Sequence, residues 1–554
     1  MAIKDRLFNN NGFGLKATMI WFWNISGGQR KRILYSCLIG LLEVACNLAF
    51  VWASKSVIDI ATGAIEGNLI NAGIIAFLLL SGQLTFAGLD MWLSGRMPVD
   101  TGNNLRRRLF NHLLQTRWES LEEYHSGDIL NRVSRDIEDV VRLLTISVPA
   151  VFITAIQLIA SLVFLYNLDS SLAWLLALII PIFLFISKLY VHRMKKYNRQ
   201  IRESDSKIQS VIQESIQQHT IIKAMERRAN RISLLDNLQS NLRGKVIKRT
   251  RLSLFSRMIM SIGFSGGYLL VFLWGAFRLS RGEISFGTMT AFLQLIGRVQ
   301  RPAYDLTQLL PSFIAAYTAA ERLMELESLP VEQDAESVLF ESPVGLKFEN
   351  VSFAYKDNRQ HILKKLNLYI PPCSKTAIVG ETGVGKTTLV RLILSLISPD
   401  NGNILLTTDH KIIPVSSHTR VNFTYVPQGN TLFSGTIRDN LLIGNPDVND
   451  ERMREVLQIA CADFVNSLPD GLNTFLGERG GGLSEGQAQR IAIARALLRK
   501  GRILLFDEIT SALDRETEAL LLSNLSAYCK EKTIIFITHH KELTKICDRV
   551  YKIP

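Results

Sequence analysis

Six long apolar segments recur in the first 320 residues, near 33–57, 72–93, 144–166, 172–190, 255–277 and 286–317. Each is long enough to cross a hydrocarbon core of ~30 Å as a helix. The last is the least uniform, because polar residues interrupt it. An even number of crossings puts both ends of this region on one side of the bilayer. Charge then says which side. Residues 94–143 carry 8 Lys and Arg, and 188–257 carry 17. The opposite connections are poor in them: 58–70 and 167–171 have none, and 278–287 has only Arg278 and Arg281. Cytoplasmic connections collect Lys and Arg, so the two long segments and both ends face the cytoplasm. Within 105–114 and 209–232 apolar residues return at three- and four-residue steps, which predicts helices that continue beyond the membrane.

The formal net charge is +13. Residues 1–330 hold 37 Lys and Arg against 24 Asp and Glu, while 331–554 hold 26 of each. The whole excess lies with the apolar segments, where it is an orientation signal and not a nucleic-acid surface. The six cysteines (37, 46, 373, 461, 529, 547) form no C-x-x-C pair and have no histidine cluster beside them. Neither a disulfide framework nor a zinc site is expected. Residues 17–23 include Trp21, Phe22 and Trp23, which suit an interfacial helix better than a cleaved signal.

Residues 326–345 are acidic, contain Pro330 and Pro343, and read as a linker. From 346 onward short apolar runs (375–379, 503–506, 533–538) alternate with helix-like stretches, the pattern of a soluble α/β domain. The expected organisation is therefore multidomain: an all-α six-helix transmembrane domain at 1–325, a linker at 326–345, and an α/β domain at 346–554.

Chemistry concentrates in that second domain. Residues 377–379 lead into Gly380, Glu381, Thr382, Gly383, Val384, Gly385, Lys386, Thr387 and Thr388. This is G-x-x-x-x-G-K-[ST] between a strand and a helix. Glycines let backbone N–H groups turn around phosphate oxygens, and the helix N-terminus adds partial positive charge. Lys386 reaches the outer phosphates and the Thr387 hydroxyl is a Mg²⁺ ligand. The run 502–506 ends in Asp507 and Glu508, where Asp507 is placed to hold Mg²⁺ and Glu508 to polarise a water. Leu483, Ser484, Glu485, Gly486 and Gln487 follow three glycines and open another helix-like run. A second anion-binding helix start has no obvious use in one subunit, but in a dimer it closes over the partner's nucleotide.

With these motifs in place the chain resembles an ATP-binding cassette (ABC) exporter half-transporter, six membrane helices followed by one nucleotide-binding domain. The resemblance spans nearly the whole sequence. It implies that Tyr355, in Phe353-Ala354-Tyr355, stacks on adenine. It implies that Gln428, in Val426-Pro427-Gln428, senses Mg²⁺, and that Leu483 to Gln487 form the signature. Glu508 and His539 become catalytic with Gln428, Thr387 and Asp507 join Gln428 at the metal, and Asp514 lies in a loop that crosses between subunits. The phrases 432–437 and 477–480 are typical of exporters. Short cytoplasmic coupling helices are implied near 117–128 and 209–223.

Three features depart from the family pattern. The signature reads Ser-Glu-Gly where Ser-Gly-Gly is usual, so Glu485 adds a negative charge near a phosphate site. A cost of about 1 kcal/mol predicts slower, not absent, hydrolysis. His540 stands where the family has Arg. The sequence stops at Tyr551-Lys552-Ile553-Pro554, where the family continues by a few tens of residues.

Gln294, Arg298, Arg301, Asp305 and Gln308 are spaced four, three, four and three, on one face of the sixth segment. Two readings stand. The stripe lines the export pathway, with Arg298 and Arg301 attracting an anionic substrate; or Arg301 and Asp305 pair at i, i+4 in a wet section of the helix. Glu43, Asn47, Gln83, Asp90 and Gln157 are further polar residues within the apolar segments.

The resemblance implies an ATP-driven, Mg²⁺-dependent exporter of a lipid, peptide, drug or other amphipathic substrate. Its expected setting is multi-pass in a bacterial inner membrane, as a homodimer. Nucleic acid is not an expected partner, and a soluble ABC ATPase acting on it conflicts with the apolar segments. A nucleotide-gated regulator that pumps little is the rival; Glu508 and His539 weigh against it. No peptidase-like stretch precedes the first apolar segment, so leader-peptide processing is not expected. The sequence leaves the cargo open.

Overall fold

The computed structural model of the chain describes residues 14–332, 336–355, 361–381, 383–409, 411–477, 480–539 and 541–553, with the backbone alone at 179–192, 195, 307, 308, 310, 541 and 542. Thr382 and His540 therefore lie outside the described residues. Two compact units emerge, Met1–Leu114 with His125–Ser328, and Gln115–Tyr124 with Leu329–Pro554.

The first unit is helical. It contains α1 (Leu15–Ile25), α2 (Arg30–Ala61) and α3 (Leu69–Gln115). A single-turn helix α4 (Trp118–Glu122) belongs to the second unit. Then come α5 (Ser126–Leu168), α6 (Ser170–Gln217), the short α7 (His219–Ala224), α8 (Arg228–Ser280) and α9 (Phe286–Glu327). Among the described residues, α2, α3, α5 and α8 are long and apolar enough to cross a membrane. Helices α6 and α9 hold the fourth and sixth apolar segments. Helix α8 has 53 residues, about 80 Å of length, so it runs far beyond any bilayer core.

The turns opposite the basic segments are built from buried carboxylates. Asp169 caps α6, accepting from the Ser171 and Leu172 backbone N–H groups at 3.0 and 3.1 Å. It also accepts from Trp274 Nε1 at 3.2 Å and Arg278 Nη1 at 2.7 Å, which ties the start of α6 to the end of α8. Asp59 accepts from the Gly287 N–H at 2.9 Å, where a Cβ would fall 2.4 Å from the Lys55 carbonyl oxygen. Only glycine lets α2 and α9 approach this closely. Between these helices Val51, Leu165, Leu172, Val271, Phe292 and Leu295 form a common core.

In α1, Trp21 is buried and its Nε1 donates to Glu327 at 2.8 Å, while Met19, Ile20 and Trp23 are exposed. The second of the expected short helices falls later than 209–223: α6 continues through Gln217 and the short helix is α7. The first is split, because α4 ends at Glu122 and α5 begins at Ser126.

Residues 115–124 group with the second unit although the sequence places them in the helical domain. Backbone pairing explains this. Thr116 bridges to Val331, the Arg117 N–H donates to the Pro330 carbonyl at 2.9 Å, and the Glu332 N–H donates to the Gln115 carbonyl at 2.7 Å. No change of composition marks such a pairing. The stretch read as a linker is also anchored. Arg420 forks onto Glu332 at 2.9 and 2.8 Å, and the Phe340 N–H donates to Asn422 at 2.8 Å.

The second unit has two main sheets. The first is antiparallel, from β1 (Gly345–Phe353), β2 (Leu363–Ile370), β4 (Asn401–Thr407) and β5 (Ile412–Pro414), in the order β2-β1-β4-β5. The second is parallel, from β3 (Lys375–Val379), β6 (Phe423–Val426), β9 (Ile503–Asp507), β10 (Thr533–Thr538) and β11 (Arg549–Lys552), in the order β11-β3-β10-β9-β6. A small pair, β7 (Gly435–Thr436) and β8 (Phe475–Leu476), completes the strands. In the parallel sheet β10 is buried at all six positions and β9 at its first four, which is why both read as unbroken apolar runs. One layer of core, with Leu389, Ile393, Ile378 and Leu505, lies under α10 (Lys386–Ile393). Another, with Ile491, Leu504, Phe506 and Leu525, lies among α11 (Ile437–Leu442), α12 (Asp450–Ile459), α13 (Glu485–Leu497) and α14 (Arg515–Tyr528).

Candidate functional site

Strands β3, β10 and β9 are neighbours and run the same way, so their C-terminal ends deliver three segments to one place. In parallel α/β sheets this is where ligands bind. β3 delivers the loop from Gly380 to Thr388, β9 delivers Asp507 and Glu508, and β10 delivers His539.

The loop is shaped by glycine. Gly383 and Gly385 have φ of 89° and 106°, and Gly385 caps α10. A Cβ on Gly385 would meet Ile362 at 2.6 Å. Backbone freedom and space thus both demand glycine here. Thr387 is exposed at the first turn of α10, and Thr388 is buried beneath it.

Glu508 is the centre of the site. Its Oε1 lies 3.2 Å from Lys386 Nζ and 3.0 Å from His539 Nδ1. Its Oε2 accepts from Gln428 Nε2 at 2.8 Å. Lys386 also donates to the Gly380 carbonyl at 3.1 Å. Glu508 adopts φ +48°, rare for a non-glycine residue, and its N–H donates to the Ile537 carbonyl at 2.9 Å. Burial raises its carboxyl pKa, but hydrogen bonds from His539 and Lys386 outweigh that and hold it below the usual range. Its neighbour shows the opposite. Burial first, and then the Glu508 charge, push the Asp507 carboxyl up. Tyr425 donates its hydroxyl to Asp507 at 3.4 Å.

Lys386, Gln428, Glu508 and His539 are thus in direct contact, with Asp507 beside them. Tyr355 lies at the far end of α10, packing edge-on against Phe353 and accepting from Arg391 at 2.7 Å. The signature stands apart. Ser484 caps α13 through a reciprocal pair, its Oγ accepting from the Gln487 N–H at 3.3 Å and its own N–H donating to Gln487 at 3.0 Å. Leu483 is half-buried, Glu485 is exposed in the first turn of α13, and Gly486 is buried, where a Cβ would meet the Ala512 carbonyl at 2.6 Å. Among the described residues no hydrogen bond joins 483–487 to the phosphate loop. The link from α13 is Gln489, whose Nε2 donates to the Glu508 carbonyl at 3.2 Å. Asp514 caps α14, accepting from the Thr517 N–H at 2.9 Å and its hydroxyl at 2.8 Å.

Arg391, Tyr425 and Gln489 were not singled out by sequence. Each acts through tertiary contact. Their only sequence signal is nearness to a motif: Arg391 is five residues after Lys386, and Tyr425 is three before Gln428.

Residues 33–302 match the family model of the ABC transporter transmembrane region, and residues 363–511 match that of the ABC transporter domain. An export ATP-binding/permease protein of Rickettsia typhi is 30% identical over 94% of this chain and 92% of its own length. The chain belongs to the ABC exporters. This exporter is also 32% identical to the alpha-hemolysin translocation ATP-binding protein HlyB of Escherichia coli, over 87% of this chain and 68% of that protein. A multidrug export ATP-binding/permease protein of Staphylococcus aureus is 27% identical over 95% and 93%. In fold it matches a bacterial Atm1-family ABC exporter with ATP bound, at a TM-score of 0.78, 23% identity and coverage of 95% and 93%. The exporter is a multi-pass membrane protein whose ATPase domain binds ATP and whose hydrolysis is coupled to transport.

Proposed function

We propose that two copies of this exporter pair so that each nucleotide lies between the phosphate loop of one and the signature of the other. The observation that carries this reading is the convergence of Lys386, Gln428 and His539 on one carboxylate, Glu508, at the ends of adjacent strands. One chain thus supplies a complete set of groups for attack on a γ-phosphate, so a partner with a different site is not required.

In this reading the glycine loop wraps the phosphates and Lys386 leaves Glu508 for the more highly charged phosphate oxygens. Glu508, held ionised, then takes a proton from the attacking water. His539 shares the same carboxylate oxygen and contacts the γ-phosphate as the water adds. Tyr355 stacks on adenine. Ser484 and the N–H groups of Glu485, Gly486 and Gln487 serve the nucleotide of the opposite subunit, and the loop around Asp514 crosses the pair.

Among the described residues no three His, Cys, Asp or Glu side chains cluster as a metal cage. Mg²⁺ needs none, since it keeps waters and takes phosphate oxygens with only one or two carboxylates. The Thr387 hydroxyl, the Asp507 carboxylate and the Gln428 amide fit that demand, and Asp507 beside Glu508 is a carboxylate that a cation would relieve. Mg²⁺ supplies charge neutralisation along the phosphates when bound.

Closure of the paired ATPase domains turns the membrane helices from inward- to outward-facing, and hydrolysis resets them. The basic connections support a cytoplasmic side for the ATPase domains, and the bacterial sources of the relatives support a bacterial inner membrane. The test is Mg²⁺-ATP hydrolysis by the purified chain, alone in lipid vesicles, beside Glu508→Gln. Turnover by the wild type that is lost in the variant is the expected result. A wild-type chain active only after a second, different half-transporter is added would overturn the homodimer.

A further inference from the structure

A cavity of about 480 Å³ opens beside α9, with Gln294, Arg298, Arg301 and Asp305 on one wall and Gln157 of α5 on the other. Its charge does not cancel. Arg298 is half-buried and donates through Nη1 to the Asn47 backbone carbonyl of α2 at 3.0 Å. Among the described residues no carboxylate lies within ion-pair distance of it. Arg301 and Asp305 approach only to 4.0 Å, and Arg301 is 86% exposed at its side chain. The self-neutralising pair that would make this stripe merely structural is therefore loose, and it does not include Arg298. Two cations and one anion share the cavity.

An arginine in an apolar segment is costly near a helix centre unless a partner or water compensates it. One carbonyl uses one of the five N–H donors of Arg298. The remaining donors suit a planar oxyanion, which accepts two parallel bonds from a guanidinium. Gln157 and Gln294 add amide donors from two helices. The same charges repel a cationic drug.

We propose that this cavity binds the oxyanion, carboxylate or phosphate, of an amphipathic transported substrate, with Arg298 as its principal ligand. The proposal rests on the export reading for its purpose, but binding can be measured without ATP and so can fail or succeed independently of that reading. Substrate specificity then begins with head-group charge.

The probe is radiolabelled oleate, bound to the full chain in nanodiscs of neutral phosphatidylcholine, with empty discs subtracted. Oleyl alcohol, dioleoyl phosphatidic acid and citrate compete. Saturable oleate binding that oleyl alcohol fails to displace is expected. Displacement by phosphatidic acid alone assigns the anion to an amphipath, and displacement by citrate assigns it to a soluble anion. Arg298→Gln should weaken oleate binding at least tenfold at an unchanged melting temperature, and Arg298→Lys should restore part of it. Should Arg298→Gln fail to fold, Gln294→Leu on the same wall is expected to weaken binding several-fold. Absence of saturable binding, equal displacement by oleyl alcohol, or unchanged affinity in the folded variants would overturn the proposal.

Discussion

Arg391 Nη1 donates to the hydroxyl oxygen of Tyr355 at 2.7 Å. The same guanidinium lies 4.2 Å over the Trp118 ring and 3.1 Å from Glu122, so helix α4 and the aromatic at the end of β1 share one cation. Glu119 adds a bond to the Ser398 N–H at 3.0 Å. If Tyr355 stacks on adenine, Arg391 fixes its ring. Arg391→Ala removes a hydrogen bond, a cation–π contact and a partly exposed ion pair, together about 1–2 kcal/mol. The KM for ATP should rise by about five- to thirty-fold while kcat changes by less than two-fold. Trp118→Ala, which leaves the Tyr355 bond intact, should raise it less. Steady-state kinetics over ATP concentration decide this, and a fall in kcat with KM unchanged would contradict it.

A second prediction concerns Lys386, which holds Glu508 and the Gly380 carbonyl at once. An ammonium shared between two acceptors moves to a triphosphate because the charge there is larger. Lys386→Ala should therefore abolish ATP binding. Glu508→Gln keeps the loop and loses only the base, so it should retain binding while hydrolysis falls by about 10²–10⁴. Equilibrium binding of a fluorescent ATP analogue, measured beside turnover, separates the two. Equal loss of binding in both variants would show that Glu508 shapes the loop instead.

The phosphate loop, the Asp507-Glu508 pair and the alternation of strands and helices were legible because each is local: a glycine pattern, a strand end, a period. Contacts between distant segments were not. Nothing near Trp118 announces that residues 115–124 join the second unit, because the deciding bonds are backbone pairings to 330–332. The polar stripe on α9 was visible from spacing, yet its meaning turned on a distance. Arg301 and Asp305 do pair as their spacing predicts, but only at 4.0 Å and without including Arg298.

Glu485 allows a third prediction. It is exposed at the N-terminus of α13, where a carboxylate stabilises the helix by about 0.3–1 kcal/mol. The same charge opposes a phosphate brought to that terminus. Glu485→Gln removes the charge and keeps the side chain's length. Turnover should rise by about two- to five-fold, and the KM for ATP should fall, with a slight loss of thermal stability. An unchanged turnover at low and at saturating ATP would mean that no phosphate approaches this helix start.

The last prediction follows from Arg132, whose side chain is 10% exposed and reaches acceptors on two helices. Its Nε donates to Asp128 at 2.9 Å, and its Nη1 to Glu325 at 2.7 Å and to the Arg322 carbonyl at 3.0 Å. The fork thereby fastens the first turn of α5 to the last turns of α9. A buried ion pair broken from one side can cost about 3–5 kcal/mol. Here Asp128 and Glu325 are 43% and 50% exposed and regain water, so most of that penalty is absent. What remains is the carbonyl left without its donor and the packing of the arginine stem, about 2 kcal/mol. Arg132→Met keeps the stem and should cost less than Arg132→Ala. Arg132→Lys keeps a charge but cannot serve acceptors on two helices with one ammonium, so it should fall between them. Thermal midpoints of the full chain in nanodiscs should therefore fall in the order wild type, Met, Lys, Ala; a Lys variant above Met would show that the charge-assisted bonds outweigh packing of the stem. A midpoint for Arg132→Ala equal to that of the wild type would mean that the fork contributes nothing to holding the two helices together.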